Sequence, residues 1–250
     1  MTPVLRRVVV TRDESLDGPL SSALMRRGLE PVACTVVSEV PAPEPEVLER
    51  AAASLEKYNW LVVASQRAVT AVMAARQGRP LPARLRTAAV GEQSAAALIA
   101  SGAVQPLTAA SAGAAALIAQ LRDADHWPGK RVVLPRAFEG GRELADAFRH
   151  WGASVDEVVA YRTVARPRAE IVDAWQAACP DAVVVASPSA ARALVSALGA
   201  ESLRRLARVA AMGSTTAMTL MALGVPAMVP TRSDFEAVAD LLLGASRPEA

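Results

Sequence analysis

Short β-branched runs alternate along the chain with amphipathic, alanine-rich stretches of about ten residues, the pattern of βα units on a parallel sheet. Strands are predicted at Arg7–Thr11, Glu30–Val37, Trp60–Ala64, Thr87–Val90, Arg131–Leu134, Ser154–Tyr161, Ala182–Ala186 and Arg208–Met212. Helical spacing runs through Leu20–Arg27, Ala68–Arg76, Ser94–Ser101, Glu143–Trp151, Ala190–Leu198 and Thr215–Leu223. Val183, Val184 and Val185 are apolar on both faces, as a central parallel strand requires.

The pattern repeats. Val8-Val9-Val10-Thr11-Arg12 resembles Val132-Val133-Leu134-Pro135-Arg136, and a glycine follows each arginine at the same distance, Gly28 and Gly152. Trp60–Ser65 resembles Ala182–Ser187. Gly91 and Gly213 follow those serines at equal spacing, and Gly102 and Gly224 follow in turn. The offset is 124 for the first pair and 122 for the second, a difference of one two-residue deletion. Matched spacings of this kind mark an internal duplication. The fold class expected is therefore α/β: two similar lobes with parallel sheets and a ligand cleft between them. Pro41, Pro43 and Pro45 form one stiff break and Arg166-Pro167 another. They divide the chain into residues 1–37 with 168–250 and residues 38–167, with linkers near 38–45 and 163–167. A single division at Asp123–Gly129 is the other reading of the same pattern.

Composition narrows the class. With 52% hydrophobic and 21% charged residues and a mean hydropathy of +0.24, the chain is core-rich and not disordered. Net charge is +2 and no basic run occurs, so no nucleic-acid or polybasic membrane surface is expected. Lys57 and Lys130 are the only lysines among 27 basic residues; the arginines suit either a GC-rich genome or bidentate contacts to carboxylates. Cys34 and Cys179, like His126 and His150, lack metal-like or redox spacing, so no metal site is expected. The uncharged stretches Gln93–Leu121 and Val209–Thr231 are broken by Gly102, Pro106, Gly113, Gly213, Gly224 and Pro226, which favours buried strand–helix units over membrane spans. Met1–Arg12 is too short for a signal peptide, and a cytoplasmic monomer is expected. Gly244–Ala250 reads as an unordered tail.

Dinucleotide, Walker, nucleophile-elbow and metalloprotease motifs do not occur in the sequence. What is left is polar groups at strand ends, where open parallel sheets bind ligands. Gly91-Glu92-Gln93-Ser94 and Gly213-Ser214-Thr215-Thr216 each follow a strand and open a helix, offering free N–H groups to an anion. The same residues also serve plain helix capping. Ser65 and Ser187 end strands before helices, and Arg12 and Arg136 place guanidinium groups at the same edge. Arg67, Arg142 and Arg192 lie just beyond it and read as solvated surface. Tyr161 breaks the repeat, since its counterpart is Val37; a phenol there suits a proton donor or an interface aromatic.

These segments, in order, resemble the uroporphyrinogen-III synthase family over nearly the whole chain. The resemblance rests on Val10–Arg12, on Tyr58–Val62 leading to Ser65–Val69, and on Ala89–Ala95. It continues with Gly152-Ala153, Val155 and Tyr161-Arg162-Thr163, and then Ala182–Ser187 and Ala211–Ala217. Ser94 stands where the family usually has threonine, and Pro135 and Pro188 sit beside the expected ligand-facing positions. The resemblance implies two flavodoxin-like lobes joined by a two-stranded linker, with both termini in one lobe. It implies a cofactor-free lyase that cyclises the linear tetrapyrrole hydroxymethylbilane. Water leaves the terminal hydroxymethyl group, and ring D is inverted through a spiro intermediate on the way to uroporphyrinogen III. It further implies Tyr161 as the acid, substrate carboxylates held by Arg12, Ser65, Gly91, Ser94, Arg136, Ser187, Gly213 and Thr216, lobes that close on the substrate, and a transient contact with hydroxymethylbilane synthase. A non-catalytic two-lobe anion sensor of the same fold is the alternative.

Overall fold

The computed structural model describes residues 5–109, 113–232 and 234–244. The predicted tail beyond Gly244 lies outside them. From the amino end come β1 (Arg7–Val10), α1 (Pro19–Met25) and β2 (Glu30–Ala33). Next are β3 (Val37–Pro41), α2 (Pro45–Ala53), a 3-10 turn at Leu55–Lys57, β4 (Trp60–Val63), α3 (Gln66–Ala75), β5 (Arg86–Ala89) and α4 (Glu92–Ala100). They continue with β6 (Leu107–Thr108), α5 (Ala114–Leu121), β7 (Arg131–Ala137), α6 (Glu143–His150) and β8 (Ser154–Ala165). The last stretch holds α7 (Arg168–Ala178), β9 (Ala182–Val185), α8 (Pro188–Leu198), α9 (Ala200–Arg204), β10 (Arg208–Ala211), α10 (Ser214–Ala222) and α11 (Phe235–Gly244).

The chain divides into two compact units, Met1–Ser38 with Val164–Ala250, and Glu39–Thr163. In the first, the described strands run in the order β10-β9-β1-β2, all parallel. A bridge from Ala210 to Met228 continues the sheet beyond β10. Side chains alternate across it. Val8 and Val10 of β1, with Ala182 and Val184 of β9, pack on Leu20 and Leu24 of α1 and Val238 and Leu242 of α11. Val9, Val183 and Val185 face the other way, onto Ile171 of α7 and Ala190, Ala191 and Leu194 of α8. Helices on both faces of a parallel sheet explain why these strands carry no polar side.

The second unit repeats the plan. Its strands run β8-β7-β4-β5-β6, parallel, with β3 beside β8. Leu61, Val63, Ala89 and Val133 meet Val69 and Val72 of α3 and Leu98 of α4 on one face. Trp60, Val62, Val132 and Leu134 meet Leu117, Leu121, Leu144 and Phe148 of α5 and α6 on the other. The repeated segments occupy equal places: β1 corresponds to β7, β9 to β4, and β10 to β5. The second sheet is larger by β3 and β6, and its β8 is longer than its counterpart β2.

Several boundaries differ from the sequence expectation. The expected strand Glu30–Val37 is two strands, because the chain leaves the first sheet after Ala33 and Val37 opens β3. The Pro41–Pro45 segment is not only a connector: Pro41 ends β3 and Pro45 sits in the first turn of α2, where its missing N–H costs nothing. The Asp123–Gly129 turn lies inside the second unit.

Trp127 anchors the face of the second sheet that α5 and α6 cover, 5.3 Å from Trp60, 4.8 Å from Phe148 and 5.7 Å from Trp151, ring centre to ring centre. Phe148 is wholly buried there. Phe148→Ala is expected to cost about 3–5 kcal/mol of stability, read by urea unfolding.

Candidate active site

In a parallel sheet every strand ends on the same edge, and the helix that follows opens there with unpaired N–H groups. Each unit places its sequence-predicted residues on this edge.

In the Glu39–Thr163 unit, Ser65 follows β4 in an extended conformation and caps α3, accepting a hydrogen bond from the Ala68 N–H at 3.2 Å. Tyr161, within β8 and in register with Ala137, the last residue of β7, brings its phenol 3.1 Å from the Ser65 hydroxyl. Both are half-buried. Gly91 caps α4 after β5, and Ser94, 5% exposed, lies in that helix's first turn. The glycine is not required by its backbone, which is extended at φ −149°, and a Cβ added to it would meet nothing within 4 Å.

Arg136 is committed internally. Its Nε donates to Glu157 at 2.9 Å, and one terminal nitrogen donates to the carbonyls of Ala137, Phe138 and Gly140. It thereby shapes the turn after β7. Glu157 also receives Arg142 at 3.2 Å and Arg149 at 2.7 Å. Burial works to raise the Glu157 carboxyl. The hydrogen bonds from Arg149 and Arg142 and the charge of Arg136 outweigh it, so the group sits below its ordinary value. Arg67, read from the sequence as solvated, pairs with Glu39.

In the other unit, Ser187 follows β9 and caps α8, accepting from the Ala190 N–H at 3.2 Å, the counterpart of the Ser65 bond. Its hydroxyl partner is Ser189, at 2.9 Å. Gly213, extended at φ −165° with open space where a Cβ would go, caps α10, and Thr216 is 4% exposed in the first turn. Arg12 pairs through Nε with Glu14 at 2.9 Å and lies over the Phe235 ring, 5.0 Å from its centre.

Three contributors were not singled out from the sequence. Glu14 receives the N–H and hydroxyl of Ser21 at 2.7 and 2.9 Å, so one carboxylate both caps α1 and holds Arg12. Thr11, fully buried, receives the Ala186 N–H at 3.0 Å and donates to the Val184 carbonyl at 3.2 Å, tying the β1 end to the β9 end. In the second unit Pro135 holds that place in the repeat and brings no hydroxyl. Glu157 is the third. Its one signal was an acid within a β-branched strand, and its arginines lie 8 to 21 residues away.

The fold and these edges define a two-unit, doubly wound α/β protein in which each unit opens one helix after its sheet without a side-chain cap, α4 at Gly91 and α10 at Gly213. A family model, uroporphyrinogen-III synthase HemD, matches residues 18–240. The uroporphyrinogen-III synthase of Synechococcus elongatus is 28% identical over 166 residues, a match that takes in 63% of this chain and 61% of that relative's length. Among solved structures, a mutant uroporphyrinogen III synthase from the extremely thermophilic bacterium Thermus thermophilus aligns with a TM-score of 0.64 at 19% identity, covering 96% of both chains. Uroporphyrinogen-III synthetase from Helicobacter pylori aligns at 0.63 and 16% identity, covering 96% of this chain and 99% of that one. At such identities these two speak for the fold. The family match covers most of the sequence, and the chain belongs to the uroporphyrinogen-III synthase family.

Glu157→Gln tests the arginine cluster. A carboxyl held below its ordinary value contributes stability above that value and loses it as pH falls through the folded-state value. The variant should therefore lose roughly 1.5–3 kcal/mol at neutral pH, and its deficit should shrink as the pH falls below the ordinary carboxylate range, read by urea unfolding across that range.

Proposed function

We propose that the protein cyclises hydroxymethylbilane to uroporphyrinogen III with inversion of ring D, acting as a cytoplasmic monomer that meets hydroxymethylbilane synthase only transiently. The observation that carries this reading is the Tyr161 phenol, 3.1 Å from the Ser65 hydroxyl on the strand-end edge of a chain of this family. Hydroxide is a poor leaving group, and loss of the terminal hydroxyl needs a proton at its oxygen. Tyr161 gives its phenolic proton to that oxygen as the carbon–oxygen bond breaks and water departs. The pyrrole nitrogen supplies the electron pair, and its own proton returns to the phenolate, leaving a neutral, electrophilic azafulvene. Ring D then inverts through the spiro intermediate before the macrocycle closes.

Eight substrate carboxylates need donors. The N-termini of α4 and α10 supply backbone N–H groups and the positive ends of helix dipoles. Gly91 and Gly213 support this assignment, because neither backbone angle nor packing within the chain calls for a glycine there. What they keep clear is the space in front of the N–H groups. Ser94, Ser187 and Thr216 add hydroxyls, and Arg12, oriented by Glu14, adds a guanidinium. The α10 turn has no acid, whereas α4 carries Glu92, so α10 is the stronger anion site of the two. Arg136 serves the same edge by holding the turn at Ala137–Gly140.

Two substitutions test this reading in an assay that separates the I and III isomers of the oxidised product. Tyr161→Phe should lower kcat for the III isomer by about 100-fold with unfolding unchanged, the scale of a lost general acid. Undiminished turnover would remove Tyr161 from the chemistry. Gly91→Ala should raise KM about threefold or more with little change in kcat, the mark of lost ground-state binding. An unchanged KM would leave the α4 terminus without a role in binding.

A further inference from the structure

The repeat supplies an internal comparison for the Ser65–Tyr161 contact. Ser65 and Ser187 occupy the same position in their units, cap the following helix alike, and accept their N–H bonds at the same 3.2 Å. If capping were the whole purpose, the two surroundings would match. They do not. Ser187 has Ser189 beside it at 2.9 Å, whereas Ser65 has the Tyr161 phenol at 3.1 Å. The counterpart of Tyr161 in the repeat is Val37, so only one of the two units combines cap and phenol.

Either oxygen can be the donor in that contact, and the surroundings of Ser65 favour one direction. A serine hydroxyl has one proton and two lone pairs. The Ala68 N–H, at the positive end of α3, already occupies one lone pair of Ser65 and draws electron density from its oxygen. That polarisation makes the hydroxyl a better donor, and its proton is free to point at the Tyr161 oxygen. The phenol's own proton is then left facing outward.

We propose that Ser65 is a positioning residue for Tyr161: its hydroxyl, backed by the α3 N-terminus, donates to the phenol oxygen, aims the phenolic proton at the departing hydroxyl, and stabilises the phenolate that remains. Ser65 transfers no proton. It holds one hydrogen bond that strengthens as charge develops on the Tyr161 oxygen, an interaction made in full only in the transition state. The role rests on the reading of Tyr161 as the proton donor, and it differs from direct carboxylate binding by Ser65. A group that acts through Tyr161 loses its effect when the phenol is gone.

The test has an activity arm and a spectroscopic arm. Ser65→Ala should lower kcat about tenfold and move KM less than about threefold, while Ser65→Thr, which keeps the hydroxyl, should restore most of the loss. In a Tyr161→Phe background, Ser65→Ala should cost less than about twofold more. Equal losses in both backgrounds, or a change in KM alone, would overturn the proposal in favour of a direct contact between Ser65 and substrate. The chain has two tyrosines, so protein labelled with carbon-13 at the tyrosine Cζ gives two resonances, assigned by Tyr161→Phe. In substrate-free protein, Ser65→Ala should shift the Tyr161 resonance and leave that of Tyr58 in place. Ser187→Ala, which removes the equivalent cap, should shift neither. An unmoved Tyr161 resonance would overturn the proposal whatever the kinetics. A shifted resonance in an enzyme that tolerates Tyr161→Phe would show that the hydrogen bond exists and that the proton-donor reading is what has failed.

Discussion

A parallel sheet covered by helices on both faces leaves polar groups one place to gather, the edge where its strands end. Both faces of β1, β4, β7 and β9 are buried under helices, so the central residues of these strands are valines, leucines and alanines. Polarity returns where the strands stop and the helices begin. There the unpaired N–H groups of α3, α4, α8 and α10 need partners, and Ser65 and Ser187 answer two of them. Gly91 and Gly213 leave the other two helices open. The open N–H groups at each unit's strand-end edge are thus a consequence of its winding before any side chain is chosen for chemistry.

The duplication shows how one plan diverges. At the end of β1, Thr11 ties two strands together and Arg12 is held by a single carboxylate and an aromatic face. At the matching end of β7, proline replaces the threonine, and the arginine turns into its own loop and onto Glu157. One copy presents a guanidinium; the other spends it on rigidity. The Tyr161 phenol stands in the copy whose arginine is committed to its own turn and to Glu157. Tyr58 is the contrasting tyrosine. It donates to Asp156 at 2.6 Å, and its burial, together with that carboxylate, pushes its hydroxyl up to about 12, which suits it to anchoring β8.

Much of this was legible in the sequence, and the reasons for the rest are physical. The buried strands stood out because unbroken β-branched runs have few other readings. The repeat was legible because strand-end residues and turn glycines keep their spacing. The helices α2, α5, α7, α9 and α11 were not legible. In α7 only Ile171 and Ala178 are buried, too few to print a period, and α5 lies in an uncharged stretch with little contrast between faces. Prolines around α2 masked it as a connector. At the site, positions could be read but partners could not. The hold of Glu14 on Arg12, the commitment of Arg136 to Glu157, and the meeting of Ser65 with Tyr161 across 96 residues are tertiary facts.

The most direct test of the account is isomer-resolved turnover by the unmodified chain. Hydroxymethylbilane would be generated in place from porphobilinogen, and the oxidised products separated by chromatography. The account predicts that the III isomer predominates and forms faster than the substrate closes unaided. Product that is the I isomer alone, appearing at the spontaneous rate, would contradict it.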